Sequence, residues 1–246
     1  SHTHTHTHKH KHKHARAPVA HTRTQDACAH VLTLPPDCNM HATKGSGLGN
    51  ENITAAHLQT PRVKQLQQLS NEVDENHSEC ITGAKPGDFI NTITRENYGQ
   101  EIYVMNVRFV EEFVAWKKRE KGGGLAGTFA TKEEAIESLV TQGMNPDDYD
   151  ITETHSHLLI RKNAETGALE IPFLFDCASS KLRVSREWNS QIAGLSGDRF
   201  SSLWKMASLQ TQNRAGQKFY NIQVENVGWS TEDDYNDAKK VFESIK

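Results

Sequence analysis

The strand signal running from Glu101 to Trp116 constrains this chain more than any other feature. Tyr103, Met105, Val107 and Phe109 alternate along one face, and Ile102, Val104, Asn106 and Arg108 along the other, which turns polar toward its end. A period of two over such a length specifies a half-buried strand in a curved sheet. A run this long predicts a bulge, expected near Glu111-Glu112.

The other elements are read relative to this strand. Thr60 and Pro61 make a helix start, and Val63, Leu66, Leu69 and Val73 recur at helical spacing, so 61–73 is predicted to be an amphipathic helix. The turn Lys85-Pro86-Gly87-Asp88 precedes a β-prone run over 89–94, and Asn97-Tyr98-Gly99 turns the chain again. After the long strand, Gly122-Gly123-Gly124 predicts a mobile loop, and a short helix follows over 132–142. Strands are expected at 151–161 and 169–177, with Ile171, Phe173, Phe175 and Cys177 alternating toward a core. A helix over 180–194 buries Val184, Trp188, Ile192 and Leu195. Two further strands, 203–210 and 217–227, lead to a last helix starting at Ser230 or Thr231, with Glu232, Asp233 and Asp234 in its positive first turn. The fold class is therefore mainly β with α. An OB-fold-like Greek-key barrel with inserted and flanking helices fits this order; a generic α+β sandwich is the alternative.

Residues 1–14 read SHTHTHTHKHKHKH. A (CA)n repeat encodes alternating His-Thr, so the stretch before Met40 reads as upstream sequence translated in frame. A metal-binding His tract is the alternative reading. Residues 1–48 are expected to be a disordered leader and 49–246 a single binding domain.

Net charge is −3 with His neutral. Residues 1–39 hold five basic residues (Lys9, Lys11, Lys13, Arg16, Arg23) and two acidic ones (Asp26, Asp37), leaving 23 basic against 29 acidic in the remainder. That acidic body, about −6, argues against a generally DNA-coating surface but permits a local basic groove. No apolar run approaches the ~20 residues of a membrane span. Cys28, Cys38, Cys80 and Cys177 form no Cys-x-x-Cys pair, and Cys80 and Cys177 are expected to be free thiols.

Few motifs suggest catalysis. Gly122–Gly127 lacks the Lys of a phosphate loop. His155 and His157 share a strand face with Glu153, a spacing that can hold a metal, but with no fourth ligand nearby in sequence an exposed polar strand face is the favoured reading. No Ser-His-Asp set emerges, and neither catalysis nor a cofactor is expected.

The binding signal is aromatic and cationic. Phe113, Trp116, Lys117, Lys118, Arg119 and Lys121 precede the triple glycine; Lys181, Arg183 and Arg186 lie on the Trp188 helix; Trp204 and Lys205 form a third set, and Arg108 adds a cation on the long strand. Bases stack on rings while Lys and Arg neutralise phosphates. Buried tryptophans and a solvated basic face are the competing explanation for each set.

The segments NITAAHLQTPRVKQLQQLS at 52–70, PGDFINTITRENYG at 86–99, VEEFVAWKKREKGGG at 110–124, SSKLRVSREWNSQI at 179–192 and NRAGQKFYNIQVENVG at 213–228 are similar to tailed-phage proteins described as single-stranded DNA-binding or recombination-associated. The resemblance is collinear from Gly49 to Lys246. It implies an OB-like, non-catalytic protein that binds single-stranded DNA during phage replication or recombination in the host cytoplasm. A predicted C-terminal helix replaces the acidic, aromatic-ended tail of many such binders. The alternative is a phage protein that binds and regulates a phage or host replication or transcription protein; self-association stays open.

Overall fold

The computed structural model describes Gly49, Asn52 and Gln59–Ile245. The chain divides into two units, Ser1–Asn52 and Ile53–Lys246. The leader reading of 1–48 lies outside the described residues.

The expected long strand is present as β3, Glu101–Lys117. It pairs antiparallel along nearly its whole length with β5, Tyr149–Lys162. β5 is flanked by β6, Phe173–Ala178. On its other side, β3 pairs with two strands in succession. Glu101–Met105 meets β7, Ser202–Gln212, and Phe113–Trp116 meets β4, Leu125–Phe129. β8, Lys218–Trp229, completes the sheet beyond β7. A two-stranded sheet of β1, Val63–Gln65, and β2, Phe89–Asn91, packs alongside.

Among the described residues three α-helices pack with these sheets: α1, Lys132–Thr141; α2, Lys181–Gly194; and α3, Glu232–Ser244. Thr131 caps α1 by accepting from the Glu134 N–H, and Thr231 caps α3 by accepting from the Asp234 N–H. Acidic residues fill the first turns of both, as the helix dipole favours.

The main sheet is buried on both faces. One face carries Ile102, Val104, Leu159, Phe175 and Trp204 against α2, through Trp188 and Ile192, and against Val63 and Phe89 of the small sheet. The other carries Met105, Val107 and Ile160 against α3, Phe200 and Ala238. No barrel closes; the sheet is open and its order is β6-β5-β3-β7-β8. Helices cover both faces, so the sheet need not curl onto itself to bury them. Gln65 and Gln67 reach from β1 to Ser208, Asn221 and Tyr220, lacing the small sheet to the β7–β8 side.

Several expectations require correction. The helix over 61–73 is instead strand β1 followed by a 3-10 turn over Asn71–Val73, and Leu69 is 96% exposed. The short apolar spacing there serves pairing with β2. Ile171 points to solvent because β6 begins only at Phe173, after Pro172. The expected bulge is not at Glu111-Glu112. The β3–β5 register shifts between Asn106 and Arg108. Val107 is the extra residue, so Arg108 joins Val107 on the α3 face and Phe109 crosses to the α2 face. Gly122, Gly123 and Gly124 all have positive φ (104°, 66°, 108°), which only glycine adopts readily, and they turn β3 toward β4. Cys80 and Cys177 are free thiols, and burial pushes the Cys177 thiol up to about 12.

Trp188 is fully buried, stacked on His157 (4.8 Å) and edge-on to Trp204 (5.9 Å). Trp188→Ala should cost about 3–5 kcal/mol in urea unfolding. A loss under about 1 kcal/mol would show that this ring pair does not anchor the core.

Candidate functional site

β3 and β5 carry two candidate regions: a buried polar relay in the middle and a cationic hairpin at one end.

The relay is built by register. His155 and His157 of β5 face the same side as Glu111 and Phe109 of β3, their direct cross-strand partners. Ser185 of α2 lies between the two rings. The carboxylate sets the polarity of the chain. His155 Nε2–H donates to Glu153 Oε1 (3.2 Å), which leaves Nδ1 to accept from the Ser185 hydroxyl (2.8 Å). Ser185 Oγ accepts from His157 Nε2–H (2.7 Å), and His157 Nδ1 accepts from the Asn106 amide (2.9 Å). Phe109 packs edge-on to His155 at 5.0 Å. His155, His157, Ser185 and Asn106 are all buried. Burial, then the nearby Arg199 charge and His155, pull the His157 pKa down to about 3. The His157 ring is thus held neutral inside a polar chain.

The predicted set Glu153, His155 and His157 does not converge as metal ligands. Asn106 and Ser185 occupy both nitrogens of His157. Glu111 replaces it: ligand atoms of Glu111, Glu153 and His155 all lie within 4.8 Å of one another. Arg186 already donates to Glu153 Oε1 at 2.6 Å, so a cation held by these three would compete with a guanidinium. Ser185 has no exposure, which leaves it no access to a substrate.

The hairpin is the β3–β4 turn. Trp116 is 49% exposed and lies directly across from Leu125, which is 58% exposed. Lys117, Lys118, Arg119 and Lys121 follow in sequence. Lys121 pairs with Asp148 (3.1 Å) and Lys118 donates to the Asp147 carbonyl (2.7 Å). Lys117 and Arg119 have no ion-pair partner among the described residues. Phe113 faces the relay side opposite Glu153, whereas Trp116 faces the other side opposite Asp150, so the two predicted stacking rings do not share a surface.

The remaining predicted residues are dispersed. Trp204 is completely buried, a core ring and not a platform for a base, because β7 turns it toward Trp188. Lys205 pairs with Glu101 (2.8 Å), Arg183 with Glu187 (3.6 Å) and Arg186 with Glu153. Lys181 sits beside Arg62 and Asp176, its pKa lowered by burial. Arg108 donates to the Ile245 carbonyl (2.8 Å) beneath α3.

A family model for Pam3 phage gp34-like proteins matches residues 29–246. The chain belongs to that family. It is accordingly a bacteriophage-type protein, as the sequence resemblance implied. The matched span opens upstream of Met40 and runs through the sheet and all three helices. No curated protein and no solved structure matches the chain. Among the described residues no helix is long and apolar enough to cross a membrane.

Asn106, Phe109 and Ser185 were missed from sequence. The only sequence signal for them was a strand carrying His155 and His157 two residues apart, which called for polar partners on its face.

With a folded pKa of about 3 against an ordinary 6.5, His157 binds a proton more readily when the chain is unfolded. The stability it confers is complete above its unfolded pKa and declines as pH falls toward the folded value, by up to about 1.4 kcal/mol per pH unit. His157→Gln should flatten that decline between about pH 6 and 4, read as urea midpoints against pH. Equal slopes in both proteins would assign the acid sensitivity to other groups.

Proposed function

We propose that this protein binds single-stranded DNA without catalysis, through the β3–β4 hairpin, in phage replication or recombination in the host cytoplasm. The observation that carries this reading is Trp116, a ring half open to solvent at the end of the central strand, with Lys117 and Arg119 free of carboxylates beside it. Stacking on an exposed ring is indifferent to base identity, and unpaired cations next to it neutralise backbone phosphates. The glycines of the turn let the hairpin adjust to a strand. The main sheet is open where a closed OB barrel was expected, so the proposed surface is the outer end of β3 with β4.

One feature favours a second reading. Trp116, Leu125 and Val110 are exposed apolar side chains near two acidic residues, Glu112 and Asp150, and Lys121 is neutralised by Asp148. Such a surface also suits a protein partner, such as a phage or host replication protein.

Titration of the full chain with oligo-dT at pH 8 in EDTA, followed by tryptophan fluorescence, separates the two. Trp116→Ala should weaken binding about 5- to 100-fold. Replacing Lys117 and Arg119 by Gln should lower the slope of log K against log salt by about 1–2. Trp229, also exposed but on β8, is the control whose replacement should change neither. Absence of binding at low salt, with capture of a protein from nuclease-treated host lysate that Trp116→Ala abolishes, would overturn the DNA reading in favour of the second.

A further inference from the structure

On its β7/β4 side, β3 has no partner strand between Met105, the last residue paired with β7, and Phe113, the first paired with β4. A cleft of about 530 Å³ opens beside this gap, between β3, the segment before β7 and the C-terminal half of α3. Its walls include Arg108, Phe109, Arg199, Phe200, Lys239 and Phe242.

Arg199 is the unusual member. It is largely withdrawn from water, and its guanidinium sits 5.5 Å over the Phe109 ring. Its Nη2 donates to Asn189 Oδ1 at 2.6 Å. Its Nη1 is buried with no hydrogen-bond partner. No carboxylate pairs with it among the described residues. The adjacent carboxylate, Asp198, accepts a hydrogen bond from the Tyr235 hydroxyl (2.6 Å). Burial without a counter-charge lowers the Arg199 pKa. A buried cation with an unmet donor is costly unless something supplies the anion. Arg108 and Lys239 bring two more cations to the same cleft from other elements, against Asp198 and Glu243. One carboxylate would be met by one guanidinium; three converging cations suit a phosphate. Phe109, Phe200 and Phe242 give the ligand's other half an apolar lining.

We propose that this cleft is a nucleotide-phosphate site, in which the Arg199 guanidinium, Arg108 and Lys239 together neutralise a phosphate, and a base rests against the phenylalanine rings. A free nucleotide and a phosphate of a longer strand carry the same chemistry. The site stands apart from the hairpin, shares no residue with it and does not depend on the hairpin binding DNA.

The test uses the full chain at pH 8 in EDTA. Thymidine monophosphate, inorganic phosphate, thymidine and oligo-dT are titrated separately by calorimetry. Thymidine monophosphate should bind, inorganic phosphate more weakly, and thymidine not at all. Arg199→Gln should weaken the monophosphate about ten- to a hundredfold, the loss of a charged hydrogen bond. Lys239→Gln, an exposed change on α3 that leaves the core untouched, should weaken it severalfold, which keeps the test decisive if Arg199→Gln folds poorly. Trp116→Ala should leave it unchanged. Oligo-dT binding that falls with Arg199→Gln would make a strand the source of the phosphate; oligo-dT binding indifferent to it would leave a free nucleotide. No binding of the monophosphate or of phosphate at millimolar concentration, or binding equal in both cleft variants, overturns the proposal.

Discussion

The single residue inserted at Val107 governs what the two halves of β3 can do. Before it, Ile102 and Val104 face α2 while Met105 faces α3. After it, Phe109 lies over the paired histidines on the α2 face. Unbroken alternation would have turned Arg108 into the core beside Trp188 and taken Phe109 away from the relay. An unpaired guanidinium there would cost several kcal/mol. The bulge instead delivers Arg108 to the backbone carbonyl of Ile245 beneath α3. β5 pairs with β3 on both sides of the shift, so the insertion is locked by some of the longest pairing in the sheet.

The relay on the α2 face shows how a polar cluster is kept in a dry interior. Each histidine nitrogen has a partner, and the chain has one consistent direction because it ends on a carboxylate that accepts and cannot donate. Arg186 donates to that carboxylate from outside. Arg199 approaches from the other end, and its charge helps keep His157 neutral. The same guanidinium therefore serves two environments: it suppresses protonation of His157 and lines the cleft. An anion bound there would offset the first effect, so the relay and the cleft are electrostatically linked through Arg199.

The parts of the fold that were legible in sequence were those whose periodicity spans several residues. β3, β5, β7, β8, α2 and α3 each show enough repeats of two or 3.6 to name the element, although the faces read for β3 hold only as far as Val107, and the Thr231 cap with three acids named the start of α3. β1 was not legible, because Val63 and Leu66 three residues apart satisfy a helix as well as a short strand, and pairing with β2 decides between them. The bulge position was invisible because only the partner strand shows which residue is extra. For the site, Trp116 was legible from its polar, glycine-rich surroundings. Trp204 has similar neighbours but lies on a strand whose alternate residues are core, and the register of β7 against β3, not its composition, buries it. Arg199, Asn106 and Ser185 come from a loop, a strand and a helix; no local pattern joins them.

The overall acidity of the chain bears less on anion binding than the pairing of its cations. Charges more than about 10 Å apart are screened at moderate salt, so an approaching phosphate responds to the nearest few groups. Most cations on this surface are already answered: Lys205 by Glu101, Lys121 by Asp148, Arg183 by Glu187, Arg186 by Glu153, Lys64 by Glu72. Arg62 and Lys162 are answered by Asp176 and Asp234. Apart from Lys181, unanswered cations adjoin β3 in two places, the hairpin with Lys117 and Arg119 and the cleft with Arg199 and Lys239. Both places adjoin β3, and Phe109 and Trp116 are separated by about 23 Å of strand at ~3.3 Å per residue. Each also has exposed or half-buried aromatic surface within reach. At these two spots unpaired cations and aromatic rings lie together, so an approaching phosphate meets attraction there despite the acidity of the body.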